Sequence, residues 1–244
     1  MKVLSIGNSF SQDAQRYFKE VCVNSGLKNI QSVNLFIGGC SLERHFLNIK
    51  GDVPAYSFEM NGVSSGLTVS VKQALLCGGW DYITLQQASH FSYKYETFQP
   101  YLKSIAEYVK EFCPKAKLAI HQTWGYADGT PNLASHGFSS HAQMFEKVRD
   151  AYKKAADDIN ADLIIPVGEA VKLLCDEYHL RAHRDFHLSY GLGRYTASLV
   201  WQYALTGTNP ENNSFRAFDE PVSDAEIATA KDCAKRAVES IKNS

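Results

Sequence analysis

The stretch "KVLSIGNSFSQDAQRYF", residues 2–18, decides how the chain is read. Lys2 to Ile6 is a short apolar run of the kind that forms a buried parallel strand. Gly7 permits a tight turn after it. Beyond Ser9, residues Ala14, Tyr17, Phe18, Val21 and Cys22 recur at helical spacing. Ser9 is therefore expected at a strand-to-helix turn, at the carboxyl end of the first strand, where open α/β sheets bind ligands. A serine under a helix N-terminus has backbone donors and a favourable dipole beside it. The same position also suits a plain helix N-cap, for which serine is a preferred residue.

Outward from this stretch, strand-like and helix-like segments alternate. Residues 30–39 (IQSVNLFIGG), 81–87 (DYITLQQ), 117–124 (KLAIHQTW) and 162–168 (DLIIPVG) read as strands two to five. Helical periodicity marks 101–112, a long segment near 138–160, 168–179, 193–207 and 223–242. The last of these opens with Ser223-x-x-Glu226, a capping box. The alternation predicts an α/β fold, a five-stranded parallel sheet covered by helices on both faces, in one domain over residues 1–244. Residues 40–66 and 125–140 read as long loops beside the carboxyl-end crevice, where substrate contacts are commonly carried.

Composition narrows the partners. The 244 residues are 45% hydrophobic with a formal net charge of −1, enough for one sizeable core. Without basic runs there is no reason to expect nucleic acid or an anionic membrane surface. No apolar stretch is long enough to span a bilayer, and no signal peptide is evident. The sequence as it stands thus reads as cytoplasmic, or as periplasmic or secreted if a leader has been removed. The six cysteines are dispersed, without a CxxC pair or Cys/His spacing typical of zinc, and neither a structural metal nor a disulfide framework is expected. His90, His121, His136 and His141 likewise fit no standard metal motif.

The chemistry gathers at the strand ends. After the first strand comes Asn8-Ser9, after the second Gly38-Gly39-Cys40, after the third Gln86-Gln87. The fourth is followed by Trp124, and the fifth with its helix by "HRDFHLS", containing Asp185 and His187. In a parallel sheet these ends lie on one edge. A hydroxyl, a glycine turn, side-chain amides and an Asp/His pair are the parts needed for acyl transfer. "GNSFSQ" is neither a dinucleotide fingerprint nor a P-loop, which argues against a nucleotide or flavin protein, and no cofactor is expected.

The order of these blocks resembles the SGNH, or GDSL-type, serine hydrolases, and most closely a bacterial branch with "GNSF" at the start and "HLS" near the end. The resemblance implies a flavodoxin-like three-layer sandwich and an esterase without cofactor or metal. It implies Ser9 as nucleophile, with Asn8 where the family has aspartate. It implies Gly39 as a backbone oxyanion donor, with Cys40 the neighbouring alternative, and Gln87 or Gln86 as a side-chain amide donor. His187 matches the catalytic histidine. The family acid falls on Arg184, so Asp185 is the candidate across a shortened loop. The alternatives are a backbone carbonyl or a carboxylate elsewhere. Asn8, Cys40, Gln86 and Trp124 are expected to contact substrate, Trp124 by stacking on a sugar ring. The implied substrate is a small acyl ester, first of all an acetyl ester on a carbohydrate, with a lipid or thioester second. A non-catalytic carbohydrate-binding protein on the same scaffold is the competing reading.

Overall fold

The computed structural model describes residues 1–242. Seven strands form one sheet: β1 Lys2–Gly7, β2 Gln31–Phe36, β3 Tyr56–Met60, β4 Val63–Val69, β5 Tyr82–Leu85, β6 Lys117–Gln122 and β7 Leu163–Pro166. Their order is β4-β3-β2-β1-β5-β6-β7. The five strands expected from the sequence are the parallel part, β2-β1-β5-β6-β7. Most of their residues are buried, as strands covered on both faces must be.

The expected loop 40–66 is not a loop. It holds a helix, Leu42–Lys50, and the antiparallel strand β3, which pairs with β4 and extends the sheet past β2. Asn61 and Gly62, both with positive φ, make the two-residue turn between β3 and β4. That is the backbone geometry a tight hairpin needs, and Asn-Gly is its preferred pair. β4 is exposed along almost its whole length, so it carries no apolar signal. The segment 125–140 contains only one short helix, Pro131–Ser135.

Helices cover both faces. One layer consists of Ser9–Gln15, Phe18–Asn24, Val167–Asp176, Leu192–Thr206 and Asp224–Lys242, packed on one another. The other contains Leu42–Lys50, Val71–Leu76, Tyr101–Phe112 and His141–Asp158. The periodicity of residues 14–22 belongs to two short helices, not one, because the chain breaks at Arg16–Tyr17. The Ser223–Glu226 capping box forms, with Glu226 accepting from the Ser223 N–H and Ser223 Oγ accepting from the Glu226 N–H.

The turn from β1 into the first helix depends on Gly7. A Cβ there would sit 2.1 Å from Ser11 Oγ. That hydroxyl is committed, because it accepts from the Asn8 N–H and has its single proton between the Asn34 Oδ1 and Asn8 carbonyl acceptors. The close approach lets the chain leave the strand and enter the helix within one residue.

Candidate active site

Asn8, not Ser9, caps the first helix. Its Oδ1 accepts from the Phe10 N–H at 3.0 Å. Ser9 is the first helical residue, half-buried, with its hydroxyl free of capping duty. Asn8 is itself held by a chain of polar contacts. His121 Nδ1 lies 2.5 Å from Gln86 Oε1, Gln86 Nε2 donates to Asn8 Oδ1 at 2.7 Å, and Asn8 Nδ2 donates to the Cys40 carbonyl at 3.2 Å. Burial pushes the His121 imidazole down to about 3, so the ring is neutral and Nδ1 is its donor. This network explains asparagine at position 8. The residue must accept from two donors and also donate to a carbonyl, which an ionised aspartate cannot do.

Across the cleft, His187 Nε2 lies 2.8 Å from Ser9 Oγ. The histidine is carried on a short segment pinned at several points. The Asp185 carbonyl accepts from the Ala127 N–H, the Phe186 carbonyl from Trp124 Nε1, and the His187 carbonyl from the Arg184 N–H. Asp13 Oδ2 accepts from the Leu188 N–H at 3.0 Å. The Phe10 ring stacks flat on Trp124 with centroids 4.2 Å apart, and its other neighbour is the His187 ring. Trp124 thus joins Phe10, the residue after Ser9, to Phe186, the residue before His187.

Asp185 departs from expectation. Its Oδ2 accepts from Asn132 Nδ2, its Oδ1 is buried without a partner, and it makes no hydrogen bond to His187. The shortened spacing is the reason: with the Asp185 carbonyl tied to Ala127, the carboxylate turns towards the 131–135 helix. Arg184, at the family's acid position, is engaged with the Leu188 carbonyl and the Tyr190 hydroxyl and lies on the Tyr190 ring.

The carboxylate beneath the histidine comes from elsewhere. Asp13 sits one helical turn after Ser9, fully buried, and is held by Arg194 at 2.8 Å. Burial is the main influence on His187 and lowers its pKa from 6.5; the negative charge of Asp13 is the largest effect opposing it. Burial raises the Asp13 carboxyl, against the pull of Arg194 and His187. Sequence reasoning passed over Asp13, although its i, i+4 relation to Ser9 places both on one helix face.

The amide donors are also elsewhere than expected. Gln87 faces away from the cleft: its Oε1 accepts from the Leu42 and Ala88 N–H groups, and its Nε2 donates to Thr97. Gln86 is spent on Asn8 and His121. Neither residue lines the cleft. The backbone N–H groups of Ser9 and Gly39 make no hydrogen bond among the described residues, and both residues line the cleft. Gly39 takes a left-handed φ of 61° at the turn after β2.

Cys40 and Trp124 are not substrate-facing. Both are completely buried, and Trp124 donates its only N–H to Phe186. Burial pushes the Cys40 thiol up to about 12, so it stays protonated. Asn8 and Gln86 are buried too and act from behind. The cleft of about 670 Å³ is walled instead by Phe36, Tyr126, Phe186 and Tyr190 with Gln12, Ser89, His90 and Asn132.

The Ser9–His187 pair lies at the carboxyl edge of the sheet, and the fold is that of the SGNH hydrolases. Residues 2–237 match the family described as domain of unknown function DUF4886, and the chain belongs to that family. A crystal structure of a DUF4886 protein from Bacteroides uniformis superposes with a TM-score of 0.89 at 34% identity, covering 98% of this chain and 95% of that one. A candidate SGNH hydrolase from Slackia heliotrinireducens is similar over 83% of this chain and 97% of its own, with 24% identity and a TM-score of 0.61. The acetyl xylan esterase AlAXEase shares the fold at 13% identity, with a TM-score of 0.55 over 84% of this chain and 100% of its own. No curated protein sequence matches the chain.

Proposed function

We propose that the protein is a serine esterase that removes small acyl groups, acetyl first among them, from carbohydrate. The observation that carries this reading is the 2.8 Å contact between Ser9 Oγ and His187 Nε2 inside an open, aromatic-walled cleft. The lowered pKa of His187 leaves it neutral near pH 7, with Nε2 available to accept a proton. His187 takes the Ser9 proton as Oγ attacks the ester carbonyl. The Ser9 and Gly39 N–H groups receive the oxyanion. The imidazolium then protonates the leaving alcohol, and a water activated by His187 hydrolyses the acyl-enzyme.

In this scheme the pair is a Ser-His dyad, with the Asp13 charge stabilising the imidazolium and the Leu188 contact fixing its backbone. Two features support a sugar alcohol. Aromatic walls with amide and hydroxyl groups between them suit a polyhydroxylated ring, and two similar folds belong to an acetyl xylan esterase and an acetyl-xylooligosaccharide esterase. Labelling with a fluorophosphonate tests the dyad directly. Wild type should label at Ser9 and lose the label in Ser9→Ala. An unlabelled wild type would leave the protein a carbohydrate binder. A screen of acetylated sugars beside short-chain p-nitrophenyl esters then tests the substrate.

A further inference from the structure

Around His183, in a cavity lined by other residues than the cleft, three residues from three elements converge. His141 opens the helix His141–Asp158, Cys175 lies in the last turn of Val167–Asp176, and His183 begins the isolated bridge His183–Leu188. One ligating atom of each lies within 4.8 Å of the other two. Cys175 Sγ is 3.8 Å from His183 Nδ1, and the two imidazole centroids are 4.9 Å apart. We propose that His141, Cys175 and His183 bind one divalent transition-metal cation of the zinc type, and that this cation clamps the base of the segment presenting His187.

The nitrogens argue for a ligand. His141 and His183 are 1% and 2% exposed, and Nε2 of each is buried with no hydrogen-bond partner. Buried polar atoms in folded proteins are almost always paired; His45 and His121 also leave Nε2 unpartnered, but only here do two such rings meet beside a thiol among the described residues. His141 Nδ1 lies 3.3 Å from the Tyr126 carbonyl. Donation there puts the proton on Nδ1 and leaves Nε2 with its lone pair, the arrangement by which a backbone carbonyl orients a metal-bound histidine.

Two imidazoles and one sulfur suit zinc or cobalt rather than magnesium or calcium. The cluster opens into a cavity of about 360 Å³ whose wall includes Asp128 and His179, which leaves room for a fourth ligand. Cys175 contributes as thiolate: the S–H bond breaks, a sulfur–metal bond forms, and the proton leaves through the cavity to water. Because binding releases that proton, affinity rises with pH. The Cys40–His45 contact elsewhere offers only two such groups, with His45 Nδ1 already on the Tyr56 hydroxyl.

The test uses the full chain after chelator treatment, titrated with Co²⁺ by absorption and with Zn²⁺ by calorimetry. One cobalt per chain should bind, with a thiolate-to-cobalt charge-transfer band. The band should persist in Cys77→Ser, which removes the exposed thiol, and vanish in Cys175→Ser. His141→Gln and His183→Gln should each weaken zinc by more than about tenfold. Zinc should also raise the melting temperature of the wild type, a measurement that needs no variant to fold. A wild type with neither the band nor the thermal shift overturns the proposal, and so does a band that survives Cys175→Ser in a protein with wild-type circular dichroism.

Discussion

The cleft at Ser9 and the cluster at His141 share one short segment, residues 183–187, and they are built differently. In the cleft the histidine nitrogen facing the reaction has a partner, Ser9 Oγ, and Gln86 and Asn8 behind it are hydrogen-bonded, although His121 Nε2 and Asp185 Oδ1 are buried without partners. In the cluster the imidazole Nε2 atoms have none. The difference separates a site prepared for a proton transfer between its own side chains from one whose donors converge on a point none of them fills. Satisfied networks fix geometry, whereas unsatisfied buried nitrogens are tolerated where something else binds.

The sharpest way to break this view of the cleft is Ser9→Ala. Turnover should fall by more than about 10⁴-fold, the scale for removing a nucleophile. Because Asn8 is the cap, the melting temperature should stay within a degree or two of wild type, about what a change of a few tenths of a kcal/mol produces. Lost stability with intact turnover in a calorimetric and kinetic comparison would reverse the assignment.

Asn8→Asp comes next, since it restores the family residue into a network built for an amide. The carboxylate would face the Cys40 carbonyl, so a loss of about 1–3 kcal/mol in denaturant unfolding is expected, with a fall in kcat. Gln87→Ala should show a similar destabilisation, because it orphans the Leu42 and Ala88 N–H groups, yet leave kcat per folded molecule nearly unchanged. A drop of about 10²-fold in kcat there would instead mark the amide as an oxyanion donor.

The smallest effects concern the carboxylates. Asp185→Asn should change kcat by less than about threefold, since that side chain does not touch His187. The acid limb of the pH–rate profile should have its midpoint below 6.5, because activity is lost when His187 protonates and burial lowers its pKa. Asp13→Asn removes the charge that opposes this lowering, so the midpoint should move further down. A limb that shifts with Asp185→Asn and not with Asp13→Asn would exchange their roles.

How much of this could be read beforehand differs by element. The five parallel strands and the helix Tyr101–Phe112 follow from runs of apolar residues at a fixed period. β3 and the first part of β4 read as loop in the sequence because their apolar residues are sparse and half-exposed at a sheet edge, although Asn61-Gly62 is a hairpin signal. Ser9, Gly39 and His187 come together because a parallel sheet aligns its strand ends whatever the side chains do in detail.

By itself, then, the sequence determined the α/β layering, the single sheet edge and the serine and histidine on it, because hydrophobic periodicity and strand order are local and topological facts. Side-chain direction is neither. Only the tertiary structure turned Gln87 towards Leu42 and Thr97, Asp185 towards Asn132 and Asp13 towards His187. It also brought His141 and His183 against Cys175 from distant parts of the chain. Those choices depend on which backbone donor or carbonyl lies within about 3 Å, and packing sets that contact residue by residue.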